Sequence, residues 1–463
     1  MQTVELVRAS FMRLLAPVVL MGSMLSPVSA QAADDGVILV SDFGLPGIRI
    51  FDPGTNKIVF DYLAEQTSIR GCNLDTVFCS PIGGTYTRHG NEDFIDVAMS
   101  IYDRRPQRPS NVKYSTEIQR IKIGTTPQLI WSIKNLDFSG IPDGLVYCDP
   151  NKRGGDTRCT PQLVHSIQIM DDRPADKIVT LVMAEMYNHR ITQVTLDYNK
   201  NNTVAKVDWV LGKNSPDWPD NANPNGLQVL TDEPGGPYLV TTFYSDGLEQ
   251  NYGSSVMAWR WVNGAWQLMW SFPEDVTSSV EKLHTPHLAE ILFDPIDHTP
   301  WFVYSHSRGT AGDWGTYDEY GGSFGIARMS GGLTVRPSYM MDAVMYPDDA
   351  ERQTHFSRDV DWLPDGTWLM ADAACESGTC PWPSRLFKVE PLYDLPTSTT
   401  RPGAYAPDQS LINKVAIPNE RIYEEYQCGL KTLYEVQFIA RAEMGATLAG
   451  LRNSSTTMCP PAE

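Results

Sequence analysis

Four things are scarce or missing in this 463-residue chain: helical periodicity, positive charge, the Cys-x-x-Cys spacing, and apolar runs long enough to span a bilayer. Against 56 Asp and Glu stand only 37 Lys and Arg, a net charge of −19. Such a surface repels phosphate backbones and anionic membranes, so no nucleic-acid partner is expected. No Cys-x-x-Cys occurs, which removes the compact zinc and thiol-redox motifs. The apolar stretch Leu14 to Leu25 is too short to cross a membrane. Arg8 and Arg13 precede it and Val28-Ser29-Ala30-Gln31-Ala32 follows, the charged, apolar, small-residue order of a secretory signal peptide over residues 1–32, cut after Ala30 or Ala32. The expected location is therefore periplasmic or secreted, with no membrane span. No cysteine follows the apolar stretch to suggest a lipoprotein, and the leader has no adjacent arginine pair to suggest export in the folded state.

What is abundant is turn chemistry, with 35 Gly and 33 Pro beside a 42% hydrophobic composition, and this predicts an all-β chain with a large core. One strand-like run recurs at Ile48-Arg49-Ile50-Phe51, Ile118-Gln119-Arg120-Ile121, Arg190 to Val194, Val256-Met257-Ala258-Trp259, Phe324 to Arg328 and Arg385 to Val389. The spacing, roughly 60 to 70 residues, is that of propeller blades made of short strands and turns. The prediction is a six-bladed β-propeller over residues 33–463. Its blades are expected near 37–63, 80–135, 160–212, 223–273, 284–330 and 355–425. Blade one lacks an innermost strand of its own, so the segment Leu433 to Ile439, within a closing strand near 433–440, is expected to complete it and remove the open edges of the ring. Trp131, Trp209, Trp266 and Trp270 lie on outermost strands and suit packing of blade against blade. The inserts Asp103 to Tyr114, Ile141 to Pro161 and Gly309 to Gly322 all fall at one rim and predict a collar.

The eight cysteines form the sets Cys72 with Cys79, Cys148 with Cys159, Cys375 with Cys380, and Cys428 with Cys459. In an exported chain an even count reads as disulfides, with connectivity open; free buried thiols are the alternative.

Innermost strands of a propeller begin at the channel mouth, so the residues that open them converge on the axis. His165, Asn225, His287 and Arg358 each stand seven positions before the turn aspartate of their blade, Asp172, Asp232, Asp294 and Asp365, and ten positions before the last two stand His284 and His355. Four of the eight histidines therefore gather at strand starts of three blades, which packing alone does not account for. Second strands end at a matched position filled by Asp42, Ile101, Glu185, Thr242, Ser305 and Asp372. Beyond Ser305 comes His306-Ser307-Arg308, where Arg308 could hold an oxyanion bidentately or form an ion pair with Glu185 or Asp372. Asn225, His306, Ser307 and Arg358 complete the candidate substrate-binding set. The same ring could hold a metal instead: Asp42, Glu185 and Asp372 with Asn225 offer oxygens to calcium, and three of the histidines offer nitrogens to zinc or iron. No cofactor is required by the motifs, and calcium is the one to consider.

Three segments resemble the bacterial arylsulfotransferase family. His287 opens an inner strand that is followed by an apolar strand ending Ser307-Arg308. Trp209 to Gly212 is followed by Asp217-Trp218. His355 precedes Leu363 to Gly366, an apolar strand, and Arg385 to Val389. The likeness covers approximately residues 160–390. It implies an exported six-bladed propeller that moves a sulfuryl group between phenols without a nucleotide donor. Carried over, His355 is the candidate nucleophile, His287 or His284 with Arg308 the oxyanion holders, and His165 a further channel ligand or proton carrier. The substrate would be a small aromatic molecule. Two other functions stay open beside it, a non-catalytic propeller binding a ligand or partner through its collar, and a metal-dependent hydrolase or lactonase using the carboxylates. The sequence assigns no oligomeric state.

Overall fold

The computed structural model describes residues 36–42, 47–63, 77–103, 114–146, 160–200, 203–219, 222–244, 255–272, 287, 289–293, 298–306, 323–329, 331–337, 340–345, 357–363, 366–373, 384–390, 412–417, 422–426, 433–455 and 457. Six small sheets stand in a ring as a six-bladed β-propeller. Blade one has β1 (Gly36–Asp42), β2 (Gly47–Asp52) and β3 (Lys57–Leu63); blade two has β4 (Val77–His89), β5 (Glu92–Asp103), β6 (Tyr114–Lys122) and β7 (Gln128–Ile133). A short β8 (Asn135–Asp137) leads to blade three, β9 (Val164–Arg173), β10 (Ile178–Glu185), β11 (Arg190–Asp197) and β12 (Val204–Gly212). Blade four has β13 (Asn223–Leu230), β14 (Tyr238–Tyr244), β15 (Ser255–Val262) and β16 (Ala265–Phe272). Blade five has β17 (Glu290–Phe293), β18 (Pro300–His306), β19 (Ser323–Arg328) and β20 (Met340–Met345). Blade six starts with β21 (Ser357–Trp362), β22 (Trp368–Asp372) and β23 (Arg385–Val389); the chain then returns to blade five as β24 (Ile412–Ile417) and completes blade six with β25 (Ile422–Tyr426). Last come β26 (Leu433–Ala440) and helix α1 (Arg441–Ser454).

Ring closure follows the expectation: β26 pairs antiparallel with β1 from Gly36↔Ala440 to Asp42↔Leu433 and becomes the inner strand of blade one. Two blades are wider than expected. In blade three β8 adds parallel to β12, and in blade five, expected to stop near residue 330, β20 and then β24 extend the sheet, with β24 parallel to β20. These additions cover the outer edges of blades three and five.

The core lies between blades. One cluster joins Ala98, Ile118 and Trp131 of blade two to Val164, Leu181 and Val194 of blade three, and another joins Tyr238, Val256 and Trp270 of blade four to Ile291, Phe302 and Tyr304 of blade five. Trp209 and Trp266 meet edge to face, with centroids 5.2 Å apart, across the joint of blades three and four. All four outer-strand tryptophans therefore pack as expected. Gly325 matters here because a Cβ on it would stand 1.7 Å from the Tyr304 ring.

Helix α1 buries Met444, Leu448 and Leu451, spaced four and three apart on one face, against the blade one and blade two core. That burial stabilises by about 1.5–3 kcal/mol per side chain. Its polar residues tie the same two blades together: Arg452 donates to both oxygens of Asp52 at 2.5 and 2.8 Å, and Thr447 donates to Asp93. The sequence reading had no helix here, because Gly445, at φ 41°, interrupts the turn and blurs the periodicity. Of the cysteines only Cys79 is described; it is buried in β4 and disulfide-bonded. The other seven, and hence the expected pairings, lie outside the described residues, as does the leader.

Candidate functional site

A repeated irregularity positions the site. Where each inner strand meets the end of its second strand, the register slips: at Tyr434 in blade one, Ile82-Gly83 in blade two, His165 in blade three, Asn225-Gly226 in blade four and Arg358 in blade six. A bulge inserts an extra residue and re-aims its side chain, and in blades three, four and six His165, Asn225 and Arg358 line the axial cavity. In blade five His287 stands just ahead of β17, with its N–H bonded to the carbonyl of Ser305 at 2.8 Å.

Four consecutive blades thereby bring His165, Asn225, His287 and Arg358 into one hydrogen-bonded group. Arg358 Nη1 lies 2.7 Å from His287 Nδ1, and Asn225 Nδ2 lies 2.9 Å from the same nitrogen. A guanidinium cannot accept a hydrogen bond, so Nδ1 of His287 carries its lone pair and the ring proton sits on Nε2. With its nitrogen directed at His287, Asn225 has its amide oxygen left for His165, to which it is also hydrogen-bonded. Burial, and then the nearby Arg358 charge, push the His165 imidazole down to about 3, with the Asn225 bond pulling the other way. His165 is thus a neutral ring at any physiological pH.

The matched second-strand ends explain how the group is held. Thr242 of blade four donates to the carbonyl of His287 at 3.5 Å, and Ser305 of blade five donates to the carbonyl of Arg358. Each hydroxyl thus fixes the backbone of the site residue one blade on. In blades one, three and six the same position is acidic and serves its own blade: Arg190 clasps Glu185 with two bonds of 2.7 Å, Arg385 meets Asp372 at 2.9 Å, and Arg49 meets Asp42 at 3.2 Å. The oxygen set expected for calcium therefore does not assemble as proposed, because its three carboxylates face arginines and none of them lines the cavity that holds Asn225. Among the described residues no cluster of three or more His, Cys, Asp or Glu is arranged to hold a metal ion.

The group lines an axial cavity of about 280 Å³ to which all six inner strands contribute. Three residues further along the strands a second ring faces it: Thr85, Gln168, Gln228, Glu290, Asp361 and Gln437. Gln168 clasps Val229 of the next blade, donating to its carbonyl at 2.8 Å and accepting from its N–H at 2.6 Å; Gln228 does the same to Ile291 at 3.4 and 2.6 Å. Gln437 accepts from Tyr86 N–H, and Asp361 accepts from Phe438 N–H, both at 2.7 Å. Between the rings lies Asp359, accepting from Val360 and Val436 N–H at 2.8 and 2.6 Å. Burial pushes its carboxyl up to about 8, opposed by the Val436 N–H and helped by the charge of Asp361. Sequence reasoning missed Asp359 and this second ring. The signal was present: Gln168, Gln228, Glu290 and Asp361 all stand four positions before the turn aspartate used to find the first ring.

Of the other expected site residues, His284, Ser307, Arg308 and His355 lie outside the described residues, and for His306 the backbone in β18 is described but not the side chain. The cation beside His287 is Arg358, which sequence reasoning had placed among the substrate-binding residues.

No protein-family model matches the chain, and no curated protein matches it in sequence. Among solved structures, a protein of unknown function from Bacteroides caccae aligns over 88% of this chain and 99% of its own, with 12% identity and a TM-score of 0.41. An exo-β-1,3-galactanase from Phanerochaete chrysosporium aligns over 66% of this chain and 60% of its own, with 9% identity and a TM-score of 0.36. A sialidase from Trypanosoma rangeli aligns over 70% of this chain and 47% of its own, with 10% identity and a TM-score of 0.36. At this level of similarity the fold assignment stands on the sheet topology itself.

Proposed function

We propose that the protein is an exported enzyme that moves a sulfuryl group from an aryl sulfate to a phenolic acceptor on the axis of the propeller. One observation carries the reading: four side chains from separate blades, His165, Asn225, His287 and Arg358, meet in one hydrogen-bonded group on the wall of an axial cavity. Their chemistry suits a singly charged ester. Arg358 is the only Arg or Lys among the described lining residues, and burial holds His165 neutral. A sulfate ester carries one negative charge. The arrangement offers Arg358 and the Nε2–H of His287 to the sulfonate oxygens, stabilising the charge that builds on them as the S–O bond breaks.

In this reading His355, three residues before Arg358, is the nucleophile, as the family resemblance implies. Its imidazole forms an N–S bond while the bond from sulfur to the aryl oxygen breaks and the phenolate leaves. The acceptor phenol then takes the sulfuryl group as the N–S bond breaks, and its proton passes to the phenolate that left. A cavity near the lower end of the range for small-molecule sites, about 300–1,000 Å³, suits a single aromatic ring. The test is incubation of the full chain with para-nitrophenyl sulfate and a phenol. Nitrophenolate release that His355→Ala abolishes supports transfer. Inertness toward a panel of aryl sulfates, with those esters still bound, makes the site a binding module instead.

A further inference from the structure

The axial cavity is charged differently at its two levels, and the difference sits on one wall. Blades five and six place His287 and Arg358 at the upper level, and three residues on they place Glu290 and Asp361. With Asp359 between them, all three lining carboxylates belong to this wall, whereas blades three and four present Gln168 and Gln228 at the lower level. Three residues of chain separate the levels by up to about 10 Å.

The lower level is not uniform. Gln168 serves both the N–H and the carbonyl of Val229, and Gln228 those of Ile291. A carboxylate accepts but cannot donate, so Asp361 takes the Phe438 N–H and has nothing to offer a carbonyl. An acid at this position gives up half of the clasp and adds charge to a confined space. On the wall below Arg358 that charge faces the same cavity as the guanidinium, one level away.

We propose that the axial site takes a bipolar ligand: an aryl oxyanion ester whose ring carries a protonated amine on a short arm, with the oxyanion against Arg358 and His287 and the ammonium against Glu290 and Asp361. An aromatic ring with a two-carbon amine arm spans the separation of the two levels, and neither end is left beside a like charge. The inference rests on the same site as the transfer reading but does not require transfer.

Para-aminoethyl benzenesulfonate and para-ethyl benzenesulfonate separate the two, because a sulfonate cannot be transferred and the pair differs only in the amine. Calorimetric titration of the full chain at neutral pH is expected to show the amine compound binding about tenfold tighter or more, the gain of a charge-assisted contact. Glu290→Gln, which installs the side chain that blades three and four already carry there, is expected to bring the ratio of affinities down several-fold, and Glu290→Gln with Asp361→Asn to bring it close to one. Equal affinities in the wild-type chain, or a ratio unchanged by Glu290→Gln, overturn the bipolar ligand. A tenfold ratio in a chain that turns over no aryl sulfate overturns the transfer reading and leaves this inference standing.

Discussion

Two rings of side chains face the same channel three residues apart, and they are used in opposite ways. At the upper level side chains bond to one another: Arg358 and Asn225 to His287, and Asn225 to His165. At the lower level they bond to backbone: Gln168, Gln228, Asp361 and Gln437 each reach across to the inner strand of the next blade. Inner strands of neighbouring blades share no ladder, so the lower contacts hold the ring together at its narrowest point. The upper group has no such duty, because hydroxyls from second strands, Thr242 and Ser305, fix the backbone of His287 and Arg358. Structure and chemistry are thus divided between levels rather than between blades.

The division can be tested from the largest effect down. Glu185→Ala, in the body of blade three, removes the carboxylate that clasps the buried Arg190, and should lower unfolding free energy by about 3–5 kcal/mol in a urea titration. Arg358→Gln should do the reverse, cutting kcat/KM for an aryl sulfate, or affinity for an aryl sulfonate, by about 10²-fold or more with a far smaller loss of stability. A strongly destabilised Arg358→Gln with its remaining activity intact would erase the distinction between the rings. Gln228→Leu should lower stability by about 1–3 kcal/mol, because it leaves the Ile291 N–H without the acceptor it has now, and Gln228→Glu should lose less because it keeps that acceptor.

A separate test is a matter of pH, and the upper group and Asp359 carry opposite signs. His165 has its folded pKa pushed below the unfolded value, so the unfolded chain takes up the proton first. Its contribution is full above about 6.5 and is lost as pH falls toward about 3, by roughly 1.4 kcal/mol per pH unit at most. Asp359 has its folded pKa raised, so its contribution is full below about 3.8 and is lost as pH rises toward about 8. His165→Gln should flatten the acid limb of the melting temperature against pH, and Asp359→Asn the alkaline side. If both variants keep the wild-type profile, neither group titrates as its surroundings imply.

How much was legible in advance depends on whether the information was local. Blade count, most strands and the closing role of β26 follow from turn residues and two-residue alternation, which are local. His165, Asn225, His287 and Arg358 were found by counting from a turn aspartate because the opening of each inner strand stands at a constant offset from that turn. Helix α1 and the outer strands β20 and β24 were missed for the contrary reason. Gly445 breaks the helical pattern, and β24 joins blade five only by returning from blade six. The carboxylates Asp42, Glu185 and Asp372 look like ligands in a line of text, and only the opposing strand shows that arginines face them.

The amino-acid order by itself determined that this chain builds six repeats of short strands and closes them with its own tail, since turn chemistry and alternation act over a few residues. It also determined which residue types open each inner strand. Only the tertiary structure decided what those residues do, because the ring brings together side chains about 60 to 70 positions apart on one cavity wall. It likewise decided that residues three further on reach across to the next blade, for that depends on the strand lying opposite.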